Sequence, residues 1–342
     1  MAYTTINKSS SFQNQLLWDG TGATNARTGL GFQPDFCWGK ERSSTSGSIL
    51  QDSVQGLSVY LASNSNSGTS PTSVQFTSFD SDGFTLGTST GINQSGQTNV
   101  GWAWKAGTTT GIDTTGATIT PSSYSLNATS KMSIIKYTGN DTSNAAVPHG
   151  LGVVPDCIII KDLSGSEHWA VVTTSMTADK MMYLNLTNAE ETSQFGSTAN
   201  TSVLFHLGTN AMVNSSSKDY IAYCFASVKG YSKFGSYSGN SDTNGAFIYT
   251  GFKPTWVMIK RTDSADWWGM WDGTRNPSNV VDKRLYAQAS DAEGTSTNLD
   301  FLANGFKLRS TDGAINSSSG SYIYMAFGQS IVGSNNVPCT AR

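Results

Sequence analysis

Charged side chains are scarce in this sequence. Lys, Arg, Asp and Glu supply 13% of 342 residues, the net charge is -3, and the basic residues are scattered rather than clustered. A nucleic-acid groove needs a basic stripe, and none is written here, so no nucleic-acid partner is expected. No apolar run approaches the roughly 20 residues of a membrane-spanning helix, so no membrane insertion is expected. The opening "MAYTTINKSSSFQNQ" lacks the charged-then-apolar order of a signal peptide, which points to synthesis in a cytoplasm without one.

Paired cysteines are missing too. Cys37, Cys157, Cys224 and Cys339 show no disulfide spacing. Cys37 lies three residues after Pro34 and Cys157 two after Pro155, which puts them on opposite strand faces. Buried free thiols are the expectation. Glu is confined to Glu41, Glu167, Glu190, Glu191 and Glu293, so the carboxylate pair of a glycosidase is hard to assemble. Glu190 and Glu293 occupy matching turns, and a catalytic pair does not arise as a repeated surface turn. No G-x-S-x-G elbow and no glycine loop leading into a helix is present.

What is abundant is glycine, at 35 positions, with apolar residues at 37% and aromatics at 11%. Polar, uncharged, turn-rich and aromatic is the profile of an all-β protein. The sequence also repeats. "GFQPDFCWGK" returns as "GVVPDCIIIK" and "GFKPTWVMIK", each with a lysine six residues after a proline: Pro34 and Lys40, Pro155 and Lys161, Pro254 and Lys260. Once the low-charge stretch 108–131 is set aside as linker, both proline-to-proline intervals are about a hundred residues.

Each unit then reads alike. A strand and a Gly/Asn turn precede the motif, and an aromatic–aliphatic pair follows it (Tyr60-Leu61, Tyr183-Leu184, Leu285-Tyr286). A polar turn and an alternating closing strand complete the unit: "NVGWAWK", "DYIAYCFA" or "SYIYMAFG". In "DYIAYCFA", Tyr220, Ala222, Cys224 and Ala226 face one way and Ile221, Tyr223 and Phe225 the other. Both rows are apolar, so both faces are covered.

Short strands between turns predict three tandem β-sandwiches from an internal triplication. The expected layout is an N-terminal arm (1–10), sandwiches at 11–107, 132–230 and 231–328, the linker, and a C-terminal tail (329–342). A three-bladed propeller would not close. Only 187–194 and 291–294 hint at a helical turn.

Several residues invite chemistry. The histidines His149, His168 and His206 have no ligand spacing, and Asp80 and Asp82 in "FDSDGF" read as an Asp-Gly turn rather than a calcium loop, so neither metal nor cofactor is expected. Three lysines in equivalent places suit structure better than Schiff-base chemistry. Their ammonium groups are expected at the rim, with their stems along the sandwich edge. Trp169 and Trp268 share one position and belong to the core. Trp267 and Trp271 in "SADWWGMWDGTR" are extra; with Asp272 and Arg275 they form the candidate contact site for a sugar ring or a partner protein.

The repeat as a whole resembles a family of virion proteins from tailed bacteriophages, especially marine ones, that serve as tail-fibre or structural proteins. The residues that carry it are "HGLGVVPDCIIIK" (149–161), "DYIAYCFASVKGYSKFGSYSGN" (219–240), "GFKPTWVMIKR" (251–261) and "FLANGFKLRSTDG" (301–313). The first unit departs most, with "GWAWKAG" at its end. The resemblance implies a non-enzymatic, β-rich component on the virion surface, without catalytic residues. The expected role is a tail-fibre-like adhesin for host-surface glycan, with a capsid or tail decoration protein as the alternative and a polysaccharide-degrading spike as the weaker one. Expected partners are other virion proteins, reached through the N-terminal arm, and further copies of the chain, with a trimer favoured.

Overall fold

The computed structural model describes residues 4–330 and residue 332. It is all-β, and helix is limited among the described residues to single turns at Ser9–Ser11 and Gly313–Asn316. Cys339 and most of the C-terminal tail lie outside the described residues.

Three sheets share one antiparallel strand order. Each runs opening strand, closing strand, lysine strand, fourth strand. The opening strands are Gln13–Asp19, Met132–Thr138 and Ser232–Ser238; the closing strands are Thr98–Trp104, Asp219–Phe225 and Ser321–Ser330. The lysine strands are Phe36–Glu41, Cys157–Asp162 and Phe252–Arg261, and the fourth are Ile49–Asp52, Ala170–Thr173 and Trp268–Asp272. Register matches as well: Trp38 pairs Trp102, Ile159 pairs Tyr223 and Met258 pairs Met325. The first two lysine strands begin two residues after their prolines. The third runs through Pro254 and absorbs it in a bulge between Pro254 and Trp256.

Strand alternation then divides the core. One row of each sheet packs on a smaller second layer and makes that module's own interior: Cys37 with Phe76 and Phe84, Ile158 and Cys224 with Phe205, Val257 and Trp271 with Phe306. The other row of all three sheets meets in one shared core containing Trp38, Trp102, Trp104, Ile159, Tyr223, Trp256, Met258 and Phe327. The predicted two-faced burial of "DYIAYCFA" is present, with Tyr220, Ala222 and Cys224 in the module and Ile221, Tyr223 and Phe225 in the shared core. The first two modules are therefore sandwiches and the third is one eight-stranded sheet curled over its own core, and all three pack around a common centre instead of following one another along a line.

Four expectations are corrected. Thr4–Ser10 is not a free arm: Ile6 is 1% exposed in the shared core and the Ser9 hydroxyl donates to Gln329 Oε1. The stretch 108–131 is not a plain linker. It contributes the strand Ser123–Asn127 to the second sheet, and Ile119 enters the second module's core. The segments 187–194 and 291–294 form no helical turn, and Glu191–Thr192 is a short strand. The aromatic–aliphatic pairs do not align as written, because the residues opposite the equivalent positions Leu50, Val171 and Met270 of the fourth strand are Leu61, Met182 and Leu285. Cys37, Cys157 and Cys224 are buried free thiols, as expected.

Candidate functional site

The repeated lysines sit where the modules meet. Each is an even number of residues from a side chain of the shared core, so alternation turns it inward. Lys40, Lys161 and Lys260 are all 0% exposed, which corrects the rim expectation: a neighbouring module's turn lies over each strand end. Lys40 Nζ donates to Ala289 O in the third module at 2.8 Å, and to Ser46 O at 3.0 Å. Lys260 Nζ donates to Thr187 O in the second module at 3.2 Å and to Arg261 O at 2.7 Å. Lys161 Nζ donates to Asp162 O at 2.8 Å. Burial pulls all three ammonium groups down to a pKa of about 8, against nearby carboxylates that act in the opposite sense. Pro34 and Pro155, just ahead of their lysine strands, and Pro254, within its own, are all buried.

Two residues beyond each lysine, a carbonyl receives an amide from the next module. Thr69 N donates to Leu163 O, Glu190 N to Thr262 O and Glu293 N to Arg42 O, at 3.0, 2.9 and 2.8 Å. First binds second, second binds third, and third returns to first, so the three modules close a ring. Indole groups repeat the pattern. Trp169 Nε1 donates to Ala62 O at 3.1 Å and Trp268 Nε1 to Tyr183 O at 2.9 Å. The first module has no tryptophan at this place, and at the remaining seam Ser63 Oγ donates to Ala287 O at 2.6 Å.

The predicted contact residues lie largely inside this architecture. Trp271 and Asp272 are 0% exposed and Arg275 2%. Asp272 Oδ2 receives Arg275 Nε at 2.5 Å and Trp102 Nε1 of the first module at 2.9 Å. Arg275 reaches Glu293 Oε2 at 3.2 Å, and Arg42 of the first module grips the same carboxylate through Nε and NH2 at 2.8 and 2.9 Å. Burial works to raise the Glu293 pKa, but the Arg42 hydrogen bonds and the charges of Arg275 and Arg42 hold it below the usual range. This network locks the first module to the third.

Trp267 alone of the four is half-buried. Its ring lies under the Arg284 guanidinium at 4.2 Å and beside Tyr286. The same place in the second module holds His168 tilted against Tyr183, 5.2 Å between centroids. His149 is buried, with Nε2 on Thr201 O and Nδ1 accepting from Leu151 N, and burial lowers its pKa to about 4. His206 lies within the strand Leu204–Leu207. Asp80 accepts from Ser78 and Thr85 hydroxyls and Asp82 from the amides of Gly29 and Gly31, as a turn requires. No group of three or more metal-ligating side chains occurs among the described residues.

One repeated feature escaped the sequence reading. Asn93, Asn214 and Asn316 are each 0% exposed and each ties two loops together through Nδ2, Asn93 to Ala23 O and Gly87 O, for instance. The glycine after each opening strand (Gly20, Gly139, Gly239) abuts the turn that follows this Asn, where a Cβ would collide with the carbonyl of Gln94, Ser215 or Ser317. The signal was available as "INQS", "VNSS" and "INSS" before the closing strands.

The chain belongs to a family described as a domain of unknown function, DUF7483, whose profile matches residues 8–330. No curated protein and no solved structure matches it.

Proposed function

We propose that this DUF7483 chain, matched as one unit across all three modules, is a non-enzymatic structural protein on the surface of a tailed bacteriophage particle. Its reading as a tail-fibre-like component comes from the sequence resemblance. The observation that supports a structural role is the closed ring. The residue types that attract a catalytic reading (Lys40, Lys161, Lys260, Asp272 and Arg275) are buried in contacts within or between modules. A body of this kind resists deformation because its core is continuous from module to module. It brings three equivalent sheets together within one chain, an arrangement that a fibre otherwise obtains by trimerisation.

Attachment to host glycan is the role proposed for the outer surface, with Trp267 the one member of the predicted contact site that reaches it. Decoration of the capsid or tail is the second reading. It is favoured by the approximate threefold relation of the modules, which suits a threefold position on a particle. Labelled particles viewed by electron microscopy separate the two. Label at the tail tip, with adsorption lowered by Trp267→Ala, supports the adhesin. Label spread over the capsid overturns it in favour of decoration, and particles without label overturn the virion assignment.

A further inference from the structure

One place in the ring leaves more aromatic surface bare than its two equivalents. In every module the opening strand and a short strand after it stand at the two ends of the strand order, with a gap between them. The short strands are Asn25–Thr28, Ala145–Pro148 and Phe247–Tyr249. In the second module the chain fills this gap itself. Ser123–Asn127 pairs with the opening strand, while Thr118 N and Ile119 N donate to Ala146 O at 3.0 Å each. In the first module polar side chains bridge it, Asn14 Nδ2 to Leu30 O at 2.8 Å and Arg27 NH2 to Leu17 O at 3.4 Å.

In the third module the gap holds no strand among the described residues. Among the described strands Phe247–Tyr249 pairs with Gly305–Leu308 and Ser232–Ser238 with the closing strand, apart from a bridge between Ser232 and Val228. Ala246 O and Thr250 N bond toward the inner neighbour, so alternation directs the backbone groups of Phe247 and Tyr249 outward. Register makes Phe247 the equivalent of Ala146, the residue that receives the covering segment in the second module. Phe247 is 44% exposed and Tyr249 51%, while Ile248 between them is buried. Such an edge, with two exposed aromatic rings and no neighbouring strand on its outer side among the described residues, is one that proteins normally protect.

We propose that the gap between Ser232–Ser238 and Phe247–Tyr249 receives an extended acidic segment of a partner protein, which adds a strand as residues 118–127 do in the second module. Charge selects the occupant. Lys233 Nζ caps the outward Tyr249 O at 2.7 Å and stands 5.4 Å from the Tyr249 ring; Lys307, directly opposite Phe247, donates to Gly245 O at 2.9 Å. Neither lysine forms an ion pair among the described residues. The nearest carboxylate along that row, Asp300, is held by Arg309 at 2.6 Å. An incoming strand takes the Tyr249 carbonyl and releases Lys233 to meet its carboxylate. This site is independent of the virion reading.

The test uses the full chain and a labelled ten-residue peptide alternating Thr with Ile and Glu, beside a counterpart with Lys in place of Glu. The acidic peptide is expected to bind about tenfold or more tightly than the basic one, and to slow hydrogen exchange at the Phe247 and Tyr249 amides. Phe247→Pro removes the outward donor without touching the inner ladder, so it is expected to fold and to abolish binding. Should it not fold, Tyr249→Ala with Lys233→Met replaces it, again with loss of binding expected. Equal binding of both peptides, no binding, or binding unchanged by these variants overturns the proposal. So does an exchange-protected Phe247 amide in the free monomer, or a dimer that Phe247→Pro dissolves, because then the chain itself or a second copy is the occupant.

Discussion

Trp102 Nε1 donates to Asp272 Oδ2 at 2.9 Å, joining the first module to the third across 170 residues of sequence. Asp272 also holds Arg275, with both side chains wholly buried. Removing one partner of a buried ion pair strands the other charge, so Asp272→Ala is expected to cost about 3–5 kcal/mol. Trp102→Phe leaves the ion pair intact and is expected to cost about 1–3 kcal/mol. Urea unfolding of the two single variants and the double variant checks this. The double variant should cost less than the two losses added together, since both act on one carboxylate.

The three seam lysines set a pH dependence with a definite sign. Their folded pKa values, about 8, lie below the ordinary 10.5. Below pH 8 both states are charged and the folded state bears the full cost of burying three ammonium groups. Between pH 8 and 10.5 the folded chain has released protons that the unfolded chain still binds, so this contribution makes stability rise with pH. Buried tyrosines oppose it at the top of the range. Burial raises the pKa of Tyr137, Tyr223 and Tyr237, so the unfolded chain ionises first above about 10 and stability falls there. A stability maximum between about pH 9 and 10 is expected in urea titrations. Lys260→Met should flatten the rise by about a third; an unchanged slope would show that the lysine does not titrate in the seam.

Trp267 and Trp271 separate by environment. Trp271→Ala empties a place in the third module's core and is expected to cost about 3–5 kcal/mol. Trp267→Ala removes a half-buried ring under Arg284 and is expected to leave the melting temperature nearly unchanged. Calorimetry of both variants distinguishes the two roles, and equal losses would place Trp267 in the core.

The alternation that made the all-β fold legible also misled the reading of that site. Trp267 does point opposite to Trp268, as an extended segment demands. That opposite face carries the module's own core, however, and Trp267 lies half-buried at its border, packed against Trp271. Gly269 leaves room for the Trp267 and Trp271 rings to meet above it, 5.8 Å between centroids. "DYIAYCFA" announces two covered faces but not what covers the second, since the partner sheets come from residues a hundred or more positions away. The lysines were misplaced for the same reason: a strand end reads as a rim until a neighbouring module's turn is laid over it. Ile6 and Ile119 stood in polar stretches with no periodicity, so nothing local marked them as core. Ile6→Ala is expected to cost about 2–5 kcal/mol. Measured loss near zero would return Thr4–Ser10 to the status of an arm.

Because the modules share one core, they should unfold together. Independent domains would give separate transitions, whereas a ring closed by seams couples each module to both neighbours. Glu293→Gln weakens only the seam between the third and first modules, by loosening its grip on Arg42 and Arg275. It is nevertheless expected to lower the unfolding midpoint of all three. Hydrogen exchange followed at Ile159, Trp38 and Met258, one lysine-strand residue from each module, reads this directly. Among the described residues no hydrogen bond or ion pair joins either arginine to the second module, so its response is decisive. Equal loss of protection at Ile159 marks the ring as one cooperative unit, and an unaffected Ile159 would show that the modules are separate domains in contact.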